Sequence, residues 1–238
     1  MRERKLAWPI DELARKVASK WNPLARFKKP IPQDSGNGRF NRSTWRRWME
    51  DVDDFPGFAI DTCDDSLIVP SPSNIIRAYS NGLLLPATVL VFCWGGMKRA
   101  KNFLLRPGIP RIKKTLSDAV ISIRSTGSIE LAWQGFYSLN WSQVAPSKCL
   151  HFLARGLGFD ANPPVPIDNA VVLNDLWPKF RERSRMLNVD LECSWVSRDW
   201  GSYCSYMTVI LTWAESKNWT TTQIENTLFG RRTGEGSK

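Results

Sequence analysis

Apolar residues recur at helical spacing along most of the chain and almost nowhere at the alternation of a strand. Residues 9–21 begin at Pro9, which suits a first helical turn, and place Ile10, Leu13, Ala14 and Val17 on one face with charges opposite. Ser43 is placed to cap a short helix through Trp45, Trp48 and Val52. Ser71-Pro72-Ser73 introduces a helix over about 74–80, closed by Asn81-Gly82. Pro86 opens an apolar helix that stops at Gly95-Gly96. Helices are predicted over about 111–124 and 128–139, separated by Thr126-Gly127. A hairpin at 140–147 leads into a helix that carries Lys148 and ends at Gly156-Leu157-Gly158. Asp168 starts a helix of twenty-odd residues interrupted by Pro178. The segment 199–217 is aromatic or aliphatic nearly throughout, with Trp200, Tyr203, Tyr206, Val209, Ile210 and Trp213, and predicts a buried helix. Thr221 or Thr222 caps a last helix through Ile224 and Leu228, and a disordered tail is expected from Gly230.

The pattern gives an all-α fold. Val89–Phe92 and Ala119–Ile123 are the segments that could form a minor β component instead. The chain divides on this reading into a helical region with basic loops at 1–110, a compact helical region at 111–229 and a tail at 230–238.

Composition narrows the class. At 238 residues the chain can bury a full core. Its net charge of +10, from 33 Lys and Arg against 23 Asp and Glu, points to a polyanionic partner: DNA, RNA or a membrane surface. The twelve tryptophans offer flat faces that stack on unpaired bases, although most of them are expected in the core. The apolar stretch 83–94 is too short to cross a bilayer and contains Pro86. The first residues are charged and lead into no signal-type run, so a cytoplasmic protein is expected. Five scattered cysteines with no CxxC pair, and a single histidine, His151, argue for reduced thiols and against a structural zinc or iron–sulfur site; no metal and no cofactor are expected.

Two residues carry candidate chemistry. Lys148 opens the apolar run Ser147-Lys148-Cys149-Leu150-His151-Phe152-Leu153. The exposed N–H groups of a helix's first turn make it a poor place for an ammonium, and a suitable one for an amine that must lose its proton and attack. Asp168 follows twenty residues later, after Pro163-Pro164-Val165-Pro166-Ile167, where it is also a good N-cap for the next helix. His151, beside Phe152, reads as a core histidine. The Trp94-Gly95-Gly96 sequence reads as a helix stop that could also line a pocket.

The segment 128–172, read as helix, short turn, helix, Pro-rich loop, aspartate and helix, resembles the helix-hairpin-helix DNA glycosylases, most closely their 8-oxoguanine glycosylase branch. Val144-Ala145-Pro146-Ser147-Lys148 and Val165-Pro166-Ile167-Asp168 match the family's hairpin, lysine and aspartate positions. The Ser-Lys-x-Leu-His-Phe run, the Tyr203, Tyr206 and Trp213 region and Glu225-Asn226-Thr227-Leu228-Phe229 are similar to compact bacterial proteins of that branch. The resemblance implies a two-lobed fold with its active site in the interlobe cleft. It implies excision of a damaged or modified base from duplex DNA by a monomer, with Lys148 as nucleophile, Asp168 assisting, and strand cleavage through a Schiff base. It also implies backbone contacts to phosphate from Val144, Ala145 and Ser147. Trp94, Cys149 and Phe152 are the candidates for a base pocket, with packing the preferred reading of Cys149. Arg39, Lys98, Arg99, Lys101 and Arg106 are the candidate phosphate contacts from charge alone.

The chain departs from the family in three places. The hairpin lacks the usual glycines, and Pro146 has no N–H to offer a phosphate. Ser147 could supply a hydroxyl in its place. Ala170 stands where the family often has a histidine two residues past the aspartate. Non-catalytic DNA binding on the same fold, and RNA or nucleoprotein binding through tryptophans and basic loops, remain as alternatives. An oxidised purine is the expected substrate, with bulky modified bases of phage DNA, and a defence role, as the other option.

Overall fold

In the computed structural model, residues 6–31, 40–41, 67–68, 71–95, 106–141 and 144–233 are described. Their architecture is all-helical, with one two-residue antiparallel pairing of Phe40–Asn41 (β1) with Leu67–Ile68 (β2). The helices are α1 Glu12–Lys20, α2 Pro72–Ser80, α3 Leu84–Trp94, α4 Ile109–Thr126, α5 Ile129–Ser138, α6 Ala145–Gly156, α7 Trp177–Met186, α8 Trp200–Lys217 and α9 Thr221–Thr233; a π-helical segment, Asn169–Leu176, runs into α7. No described helix is long and apolar enough to cross a membrane.

Contacts divide the chain into two compact units: a contiguous one, Asp34–Gly158, and one built from both flanks, Met1–Gln33 with Phe159–Lys238. The bounds of these units differ from those of the 1–110 and 111–229 regions read from the sequence. Across position 110, α3 packs on α4 within the contiguous unit.

In that unit α2 lies against α3 and α6, and α4 against α5. Helix α3 is buried on every side, from Leu85 to Trp94. A continuous apolar run cannot by itself distinguish strand from buried helix, and here 89–92 is helix. Residues 119–123 are helical too, since Ile112, Leu116, Ala119 and Ile123 form one buried stripe of α4. Gly127, at φ 68°, closes α4 as the sequence predicts. Gly156 lets α2 and α6 touch: a Cβ there would lie 2.4 Å from the Tyr79 Cβ.

In the other unit α1 packs on α8, and the π-helical segment on α7 and α9. Asp11 caps α1, accepting from the Ala14 N–H at 3.0 Å, so the helix starts three residues after Pro9. Ile10 and Leu13 are consequently exposed, and the buried face is Ala14, Val17 and Ala18. The core is aromatic: Trp195 lies against Phe180 at 4.9 Å, Trp177 at 5.1 Å and Tyr206 at 5.2 Å. Helix α9 continues through 233, past the tail expected from Gly230. Its cap is Thr220, not Thr221 or Thr222: the Thr220 hydroxyl accepts from the Gln223 N–H at 3.2 Å, and the Gln223 side chain accepts from the Thr220 N–H at 2.8 Å.

Candidate functional site

Lys148 lies in the contiguous unit, at the first turn of α6, where its N–H makes an early helical bond to the Val144 carbonyl at 3.3 Å. The turn has no side-chain N-cap. Pro146 sits where a missing N–H is harmless, and the Ser147 hydroxyl donates to the Val144 carbonyl at 3.0 Å. Ser147 and Ala145 have no exposed surface and Val144 is nearly buried. The Ser147 hydroxyl, which the sequence offers as a phosphate donor, is turned inward to the Val144 carbonyl, which also accepts the Lys148 N–H.

The Lys148 side chain is itself buried, only 6 % exposed. Its amine stands 5.6 Å from the centre of the Trp94 ring, within cation–π range. Phe152, one turn along α6, meets Trp94 edge-on at 5.0 Å. Trp94 is the last residue of α3, and its indole N–H is buried with no acceptor among the described residues. Cys149 is fully buried behind this face. Burial pushes its thiol well above the ordinary range, against the opposing charge of Lys148. The thiol is therefore a small packing group and not a nucleophile at neutral pH. Burial likewise pushes the Tyr79 phenol up, as does Cys149, while its bond to Thr88, 2.9 Å long, opposes this. His151 is buried as expected, edge-on to Phe152 at 5.0 Å, with Arg155 at 3.4 Å from its Nε2.

The structure thus brings Lys148, Trp94, Cys149 and Phe152 together in one unit. Asp168 belongs to the other. It is half-buried, in extended backbone at φ −120° and ψ 138°, and one carboxylate oxygen accepts from the Ala170 and Val171 N–H groups at 2.8 and 3.0 Å. The N-cap predicted from the sequence is present. The helix it opens is π-helical up to Leu176, a form frequent beside functional residues. Helix α7 then begins at Trp177, so that Pro178, which cannot donate to the preceding turn, lies in its first turn instead of breaking a longer helix.

Sequence reasoning passed over what holds the Asp168 loop. Residues 163–167 are all buried, and three of the five are prolines without an N–H. Their carbonyls need donors from elsewhere. Tyr203 and Tyr206 of α8 donate to the Val165 and Pro166 carbonyls at 3.0 and 3.2 Å. The Thr221 hydroxyl donates to the Pro163 carbonyl at 3.2 Å, and the Met207 sulfur accepts from the Val165 N–H at 3.2 Å. The proline run was the available signal: a loop poor in donors must borrow them.

Of the candidate phosphate contacts, Arg106 is exposed, while Arg39, Lys98, Arg99 and Lys101 lie outside the described residues, as does the helix expected through Trp45. The described cysteines, Cys93, Cys149, Cys193 and Cys204, are all free thiols. No family model matches the chain, and comparison with curated proteins and with solved structures gives no match either.

Proposed function

We propose that this protein is a DNA glycosylase that turns a damaged or modified base out of the duplex and cuts its bond to the sugar, with Lys148 as nucleophile and Asp168 as the assisting carboxylate. The observation that carries the reading is the burial of Lys148 against Trp94. Lysine is rarely buried, because removing an ammonium from water is costly. Here the amine stands at a helix's first turn among apolar groups and a ring face, where water is scarce and position is fixed.

In this reaction the Lys148 nitrogen bonds to the anomeric carbon of the sugar. The glycosidic C–N bond breaks, and its electron pair leaves with the base, which takes up a proton. The sugar carries positive charge in the transition state, which the Asp168 carboxylate stabilises. Ring opening leaves a Schiff base between lysine and sugar. Loss of the adjacent C–H proton then expels the 3′ phosphate and cuts the strand, and water releases the enzyme. The unpartnered indole N–H of Trp94 and the edge of Phe152 give the amine an aromatic wall suited to a flat base. The enzyme acts as a monomer in the cytoplasm on duplex DNA and needs no cofactor. An oxidised purine is the first substrate to test, on the resemblance of 128–172; the bulky modified bases of phage DNA are the second and would give the protein a defence role.

The test is incubation with duplexes carrying single modified bases, with borohydride present. Base release and a trapped protein–DNA species mapping to Lys148 support the reading. Base release without trapping makes water the nucleophile. The second reading, non-catalytic DNA binding on the same fold, is favoured by the buried hairpin residues Ala145 and Ser147 and by Pro146, which leave few groups to grip a phosphate there. Binding with no base released from any duplex selects it.

A further inference from the structure

We infer that Tyr203, Tyr206 and Thr221 are positioning residues that set Asp168 through the carbonyls of the Pro-rich loop; the inference rests on the glycosylase reading of Asp168. The loop Pro163–Ile167 is wholly buried, and the first residue to reach solvent after it is Asp168. A buried loop with three prolines cannot satisfy its own carbonyls. Three donors reach it from two helices: Thr221 to Pro163 at 3.2 Å, Tyr203 to Val165 at 3.0 Å, and Tyr206 to Pro166 at 3.2 Å. The Met207 sulfur takes the Val165 N–H at 3.2 Å. Every described side chain in the set is buried, and none of these bonds is local in sequence.

Tyr206 matters most, because its carbonyl belongs to the residue two before Asp168. Its phenol is held un-ionised, chiefly by burial and further by the charges of Glu225 and Asp168, so it remains a donor throughout the working pH range. Downstream, Ala170 and Val171 fix one carboxylate oxygen from the other side. The aspartate is thus held on both sides, by a bond two residues before it and by bonds from two and three residues after it. A carboxylate that stabilises charge must hold its place to a fraction of an ångström, and side chains locked by such supporting bonds provide that.

The test uses Tyr206→Phe and Tyr203→Phe, which keep the ring packing and remove one hydroxyl each. Single-turnover base release is measured on whichever modified duplex the intact protein cleaves best. Amide exchange is followed at Ala170 and Val171 by NMR. Tyr206→Phe is expected to slow base release about tenfold with DNA affinity unchanged, and to speed exchange at 170 and 171 but not in α1. In an Asp168→Asn background the same change is expected to add less than twofold. A tenfold fall that persists in that background overturns the inference, because the hydroxyl then acts on the protein at large. Unchanged exchange at 170 and 171 in both tyrosine variants also overturns it. Wild-type base release in Asp168→Asn overturns the glycosylase reading of Asp168 instead, and is recognised separately because it needs no tyrosine variant. If Tyr206→Phe fails to fold, Tyr203→Phe and Thr221→Val carry the same two measurements.

Discussion

The two units surround their candidate functional groups differently. Lys148 is buried, with its amine over the Trp94 ring that Phe152 meets edge-on. Asp168 is kept in place by hydrogen bonds, among them two to its own carboxylate and four with the loop that precedes it. On the proposed function, an amine that attacks must move forward and shed its proton. A carboxylate that stabilises charge in a transition state must already be where the charge forms.

Several substitutions would break that contrast or sharpen it. The largest effect is expected from Lys148→Gln, which should lose the borohydride-trapped adduct and strand cleavage completely, as seen on a denaturing gel. Asp168→Asn should slow base release by about 10²–10³-fold, the range for losing an electrostatic stabiliser. Its melting temperature should stay close to wild type, since asparagine caps as well as aspartate. Asp168→Ala should show the same kinetic loss together with about 1 kcal/mol of destabilisation in a urea titration.

A smaller effect separates the ring from its N–H. Trp94→Leu removes the face under the amine and should slow adduct formation on a pre-formed abasic site about tenfold, as expected for a cation–π contact of about 1–2 kcal/mol. Trp94→Phe keeps a face and should leave that step nearly intact while weakening base release, because an abasic site carries no base for the indole N–H to meet. Equal loss of both steps in the two variants would reduce Trp94 to packing. The next effect is electrostatic. If about five phosphates are neutralised, log K for duplex DNA should fall with log salt at a slope of about −4 to −5, and replacing Lys98, Arg99 and Lys101 together should flatten it.

The smallest expected effect is on stability against pH. Burial raises the thiols of Cys93 and Cys149 and the phenols of Tyr79 and Tyr206 in the folded state. A raised acid favours folding below its unfolded pKa, and that contribution is lost as pH rises beyond it. Stability from these groups should therefore be level through neutral pH and decline above about pH 8.5, where unfolded thiols begin to ionise. Cys149→Ala should blunt the alkaline decline in a thermal melt series, and an unchanged profile would place its origin in the phenols.

How legible these features were depended on whether their causes were local. Ser71 caps α2, Gly127 ends α4 and Asp168 caps the π-helical segment, all as read from short motifs whose partners lie within a few residues. Lys148 at the first turn of a helix was legible for the same reason. Its burial against Trp94 was not, because that contact joins positions on α3 and α6 that only packing brings together. The apolar pair Ile10 and Leu13 misled the reading because Asp11 set the helix start, and a cap outweighs a weak stripe. Thr221 carries the same kind of hydroxyl as Thr220. Only the fold reveals that one caps α9 and the other serves the Pro163 carbonyl.

The discontinuous unit also fixes an order of events during synthesis. Helix α1 packs on α8, and 179 residues lie between Lys20 and Trp200. At about 5–20 residues per second, α1 leaves the ribosome some 10–40 s before its partner exists. The contiguous unit Asp34–Gly158 can complete itself within that interval. The nascent chain therefore carries a finished unit with Lys148 already buried while Ala14, Val17 and Ala18 still lack their partner helix. The exposed face is small and alanine-rich, and such a face offers little for other nascent chains to stick to while it waits.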